Sequence, residues 1–243
     1  MGKKQTDPKR LLPDITDDYK SLFGDDLVSI ILYGSATGRD FRPGKSDINL
    51  MIVLTEDGIE HLDRTFDVVG KWRKRGVAVP LFLTEEYIQT SLDVFPIEYL
   101  NFRNNHLQVF GKEILKGLEF NPEFLRLQCE REIKGKLLLL REAFVETSGK
   151  GKALKGLIIQ ALPALMAIFE ALLHLKRIDV PGERRQIVGA VADAFGLERG
   201  VFEGLLDIKE EKSKIGEEES LHLVKGCLKE MRKLSVLVNS LGG

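Results

Sequence analysis

Apolar positions change their spacing every few residues up to about Gly117, and hold a helical period almost throughout the rest of the chain. The first behaviour belongs to a mixed α/β domain and the second to packed helices. Ile15, Tyr19, Leu22 and Phe23 lie on one helical face that stops at Gly24. Two largely apolar runs, 27–33 and 48–54, read as strands, and Leu62, Phe66, Val69 and Trp72 mark a helix ending near Gly76. Residues 77–83 read as a third strand. Pro80 cannot donate a ladder hydrogen bond there, which predicts an edge or a bulge. Thr84 is an N-cap for a short helix with Glu85 and Glu86 in its first turn. Residues 96–102 and 107–110 then read as a hairpin around Arg103-Asn104-Asn105-His106, because paired asparagines suit a turn with positive φ.

Beyond that point the pattern predicts helices near 122–147, 152–177, 183–196, 198–210 and 218–240, with connections short enough for antiparallel packing. Pro163 is expected to kink the second and most apolar of them. The same helix holds an apolar run, 157–175, of nearly membrane-spanning length. Gln160, Glu170 and His174 interrupt it at a cost in hydrocarbon that a packed bundle avoids, so no membrane association is expected. The fold class is therefore α+β, a mixed β-sheet with flanking helices over residues 1–118 and an all-α helical bundle over 119–243.

Composition narrows the partners. Lys and Arg number 36 against 37 Asp and Glu, so no global field would hold a long nucleic acid against physiological salt. Cys129 and Cys227 are the only cysteines and lack metal-ligand spacing, which fits buried free thiols in a reducing, cytoplasmic setting. The polar start Met1-Gly2-Lys3-Lys4-Gln5-Thr6 reads as a solvated tail; it fits the short myristoylation pattern but has no apolar core of a secretory signal. His61, His106, His174 and His222 are scattered, and surface or packing roles are expected for them.

The chemistry lies between the first two strands: Tyr33-Gly34-Ser35, ten further residues, then Ser46-Asp47-Ile48-Asn49-Leu50. Gly34 has no Cβ, so backbone amides and the Ser35 hydroxyl can approach a phosphate closely. Residues two apart on a strand share a face, which would turn Asp47 and Asn49 together toward that cradle and Ile48 and Leu50 into the core. Arg39, Arg42 and Lys45 either reach phosphate oxygens or are solvated loop charges. A second phosphate-like string, Gly38 to Ser46, imitates a P-loop but has one residue too many between its glycines and opens a strand where a P-loop opens a helix.

With its flanking apolar strands, this segment resembles the hG[GS]…Dh[DE]h motif of the DNA polymerase β-like nucleotidyltransferase superfamily. The layout of an α/β domain before a helical bundle, and the stretch from Val94 to Gly111, are similar to bacterial aminoglycoside nucleotidyltransferases. The resemblance implies a nucleoside triphosphate donor, Mg²⁺ held by acidic residues, and transfer of a nucleoside monophosphate to a hydroxyl. Asp47 matches the first metal ligand, and the second position is occupied by Asn49, a neutral amide that lowers Mg²⁺ affinity. Gly34, Ser35, Arg39 and Ser46 are the expected nucleotide-binding residues. The third acid would stand on the third strand, where Val77-Ala78-Val79-Pro80-Leu81-Phe82-Leu83 has no carboxylate. Glu85, Glu86, Asp93 or Glu98 would have to replace it, Glu98 best by its place among apolar residues; a hydrogen-bonded structural glutamate explains Glu98 equally well. Two readings stay open: an enzyme that modifies a small-molecule or protein acceptor, with a homodimer compatible with it, and a catalytically degenerate nucleotide-binding, regulatory or antitoxin-like protein.

Overall fold

A computed structural model describes residues 8–38, 41, 46–210 and 216–241. The expectations for the N-terminal tail and for Arg39, Arg42 and Lys45 fall outside these residues. The chain divides into two compact units, Met1–Asp93 with Glu98–Glu119, and Val94–Ile97 with Phe120–Gly243.

The first unit begins with α1 (Pro8–Phe23), whose Leu11, Leu12, Ile15, Tyr19 and Phe23 are buried, and the chain turns away at Gly24, a residue with φ +51°. Two strands follow, β1 (Leu27–Tyr33) and β2 (Asn49–Leu54). Next come the short α2 (Glu56–Ile59), a 3₁₀ turn at Leu62–Thr65 and α3 (Phe66–Arg73). Trp72 is buried on α3, whereas Phe66, expected on the same inward face, is 73% exposed, because residues six apart on one helix stand about 120° from each other. Trp72 is fixed by its indole N–H, which donates to the Asp18 carboxylate at 2.8 Å.

The sheet order is β3-β2-β1-β4. β1 runs antiparallel to both β2 and β4 (His106–Gly111), and β2 runs parallel to β3 (Leu81–Thr84). Only the second half of the expected third strand forms. Pro80 breaks it, leaving Val77 in an isolated bridge to Ile48, and β3 takes the edge that a proline-bearing segment tolerates. Ile30, Leu32, Ile48, Leu50, Ile52 and Leu54 form one core with α1 and Trp72. The alternate positions Ile31, Met51 and Val53 are equally buried, so both faces of the sheet are covered. Each such side chain contributes roughly 1.5–3 kcal/mol of burial, which is why the central strands are near-continuously apolar.

The expected hairpin is not there. Thr84 does cap α4 (Glu85–Thr90), accepting from the Tyr87 amide at 3.1 Å. Residues 96–104, however, are helical: α5 (Pro96–Asn104) has proline at its first position, where the missing N–H costs nothing, and Glu98 in its first turn. Ile97, Tyr99 and Leu100 are buried in a helical pattern that a short window confuses with strand alternation.

The second unit is helical: α6 (Pro122–Glu146), α7 (Gly151–Leu175), α8 (Arg184–Phe195), α9 (Arg199–Lys209) and α10 (Glu217–Asn239). Pro163 sits inside a continuous α7. By length and composition α7 would pass as a membrane span, and half of its most apolar window is buried within the protein. The Phe169 ring packs edge-on against Phe202 of α9 at 5.2 Å. Glu230 is buried with a purpose: its carboxylate accepts the Glu198 amide at 3.0 Å. Both cysteines are buried thiols outside any disulfide.

Candidate functional site

β1 ends at Tyr33 and the chain enters a tight 3₁₀ turn, Gly34–Thr37. Gly34 has φ +75°, a left-handed conformation that costs an L-residue about 1–2 kcal/mol. Its N–H donates to the Asn105 carbonyl at 3.1 Å, so this amide faces the protein and not a ligand. The Thr37 hydroxyl closes the turn on the Gly34 carbonyl at 2.8 Å. In a 3₁₀ turn the third amide, that of Ala36, already bonds back to the capping residue, so once Asn105 has taken the Gly34 amide the turn's donors to an anion are the Ser35 amide and the half-buried Ser35 hydroxyl.

β2 starts beside this turn. Ile48 is held from the other side, its N–H donating to Gly76 at 3.2 Å and its carbonyl accepting from Ala78 at 2.9 Å. Ile48 and Leu50 are buried, and the alternate residues Asp47 and Asn49 are respectively exposed and half-buried. Asn49 pairs with Tyr33 across the strands, and its side chain leans over the turn: a Cβ added at Gly34 would stand 3.5 Å from Asn49 Nδ2. The amide of residue 49 and the Gly-Ser turn are thus neighbours. Ser46 is half-buried and engaged in contacts of its own.

Tyr33 has a second partner, His106 on β4, so Asn49, Tyr33 and His106 form one row across three strands. The Tyr33 ring rests against Phe102 of α5 at 4.8 Å, and burial raises its phenol pKa. His106 Nδ1 lies 2.9 Å from the Arg103 carbonyl and Nε2 lies 3.1 Å from the Glu113 carboxylate. The Arg103 guanidinium donates to the Leu118 carbonyl at 2.8 Å, and burial lowers its pKa. Sequence reasoning assigned 103–106 to a turn and missed this corner. Pro96 followed by Glu98 was the signal that a helix would deliver it.

The donor set does not suit a pair of Mg²⁺ ions. Asp47 brings one exposed carboxylate and Asn49 a neutral amide, and among the described residues no group of three acidic, histidine or cysteine side chains is placed to hold a metal. Of the substitutes for the third acid, Glu85 and Glu86 are not near. Thr84 pairs with Leu54, so Glu85 and Glu86 follow the far end of β3, about 17 Å along the sheet from Asn49. Glu85 is paired with Lys112. Glu86 lines a recess of about 570 Å³ with Glu56, Phe82 and Tyr87, also at that far end. Glu98 is exposed in the first turn of a helix and not in a strand, and Asp93 is exposed.

No protein-family model matches the sequence. No curated protein matches it either. A solved structure does: spectinomycin adenyltransferase AAD(9) from Enterococcus faecialis, determined with ATP and spectinomycin, overlays on 92% of this chain and 99% of its own at a TM-score of 0.51 and 10% identity. A likeness at that identity concerns the fold, and it agrees with the four-stranded mixed sheet, its flanking helices and the helical C-terminal region. The chain has an α+β, nucleotidyltransferase-like fold, similar to that of a spectinomycin adenyltransferase.

Proposed function

We propose that the first unit binds a nucleoside triphosphate at the Gly34–Ser35 turn, without the acidic metal-ligand set that the sequence resemblance implies. The observation that carries this reading is the juxtaposition of the turn with the residue-49 side chain at the start of β2. The Ser35 amide and hydroxyl are the donors to phosphate oxygens, and Asn49 is the adjacent polar group. Asp47 is the one acid there, and a single exposed carboxylate holds a divalent cation weakly. The half-buried Tyr33 and Phe102 rings close the floor beside the turn and keep its backbone fixed.

The test is calorimetric titration with ATP, in Mg²⁺ and in EDTA, of the wild type and Asn49→Asp. The variant is nearly isosteric and adds a charge beside the phosphates. We expect ATP affinity to fall in EDTA by ~1–2 kcal/mol, roughly 5- to 30-fold, and to rise above wild type in Mg²⁺. A wild type with no saturable ATP binding, or a variant unchanged in both media, refutes the assignment.

A second reading is supported by the fold neighbour, an adenyltransferase solved with ATP and spectinomycin: transfer of a nucleoside monophosphate to a hydroxyl of a small molecule. Incubation with α-labelled ATP and hydroxylated acceptors, with pyrophosphate release as the readout, separates it from binding alone.

A further inference from the structure

A carbonyl oxygen and a carboxylate oxygen are both acceptors, and the His106 ring stands between one of each. Nδ1 is 2.9 Å from the Arg103 carbonyl and Nε2 is 3.1 Å from Glu113. Both contacts are hydrogen bonds only when the ring donates twice, that is, as the imidazolium. A neutral ring carries a single N–H and can donate to only one of the two acceptors, so one arm of the clasp is lost in either tautomer. The ring side chain is only 12% exposed, so water does not readily replace that arm.

The clasp spans the corner between α5 and β4. Its two anchors, residues 103 and 113, flank Asn105, whose carbonyl holds the Gly34 amide at 3.1 Å. His106 is also the strand partner of Tyr33, the residue immediately before Gly34. The titratable groups on the surrounding elements are Tyr33 on β1, Arg103 on α5 and Glu113 after β4. Burial keeps the Tyr33 phenol protonated, and the Arg103 guanidinium is tied to Leu118. Glu113 is therefore the group whose charge the ring proton answers.

We propose that His106 is a positioning residue for the Gly34–Ser35 turn: clasped between the Arg103 carbonyl and the Glu113 carboxylate, it fixes the corner that holds the Gly34 amide, and the turn loosens as the ring gives up its second proton. The link from turn to nucleotide rests on the function proposed above; the link from His106 to Gly34 does not.

The test follows the Gly34 amide and the His106 ring resonances by NMR across pH, with the Ile52 amide in central β2 as reference. Gly34 hydrogen exchange is expected to accelerate by about 10-fold beyond the ordinary base-catalysed slope, with the midpoint of the ring's own titration, while Ile52 stays on that slope. His106→Gln and Glu113→Gln should each abolish the extra step, and Glu113→Asp should restore it. Glu113→Gln serves if His106→Gln does not fold. Gly34 exchange that keeps the ordinary slope through the ring titration, or an extra step that survives in Glu113→Gln, overturns the proposal. ATP titrations on the same samples separate the two links: a Gly34 step with no ATP binding supports the positioning role and overturns the nucleotide reading instead.

Discussion

Gly34→Ala tests whether the turn's conformation, and not merely its lack of bulk, requires glycine. The residue sits at φ +75°, where a Cβ costs about 1–2 kcal/mol. Steric overlap adds nothing, because the nearest atom to the new Cβ, Asn49 Nδ2, is at an ordinary 3.5 Å. Gly38, four residues on, provides the control. It lies at φ −133° with open space around it, so alanine there keeps only the entropic benefit of a stiffer unfolded chain, about 0.4–1 kcal/mol. That entropic term is common to both substitutions and cancels, so the two variants should differ by roughly 1–2 kcal/mol, Gly34→Ala less stable and Gly38→Ala neutral or slightly more stable. Urea unfolding monitored by Trp72, the single tryptophan, reads the unit that contains both sites. Equal stabilities would show that positive φ is not what the turn needs. Gly34→Ala should also weaken ATP binding, and Gly38→Ala should not.

Three further outcomes follow from the structure. Asp18→Ala leaves the buried Trp72 N–H without its acceptor and should cost about 1–3 kcal/mol with a shifted tryptophan emission; an unshifted spectrum and unchanged urea midpoint would contradict that role. Hydrogen bonds from Lys134 and then Arg126 hold the Glu130 carboxyl below its usual pKa. A lowered folded-state pKa stabilises above the ordinary carboxylate range and is lost as pH falls through the folded value. Glu130→Gln should therefore cost less than about 1 kcal/mol at pH 7, with the difference from wild type vanishing in acid; a difference that grows in acid would reverse the argument. Burial pushes the Cys227 thiol up to about 12. Neither it nor the fully buried Cys129 should react with a disulfide reagent at pH 8 until the protein is unfolded, and rapid labelling of the native protein would refute this.

The sequence by itself determined the elements whose signal is local. Residues 27–33 are uniformly apolar and short, so burial on both faces leaves them one solution, a central strand. The long helices of the second unit declare themselves through sustained periodicity and through glycine or proline at their ends, as at Asn121-Pro122 and Gly196. Pro80 foretold an edge strand, because a missing N–H is tolerable only where no ladder bond is required. Gly34 and Asn49 were legible as neighbours because two adjacent strands force the proximity.

Tertiary structure decided the rest. Helix α5 was misread because Ile97, Tyr99, Leu100 and Phe102 satisfy both periods over so short a span, and only packing chose between them. That choice carried His106 onto β4, beside Tyr33 and 73 residues from it in sequence, and made Asn105 the anchor of Gly34. Of the backbone amides expected to face a phosphate at this turn, Asn105 takes that of Gly34, which leaves the Ser35 amide. A hydrogen bond from a residue distant in the chain leaves no mark on local spacing, because the contact exists only after both elements have packed on β1.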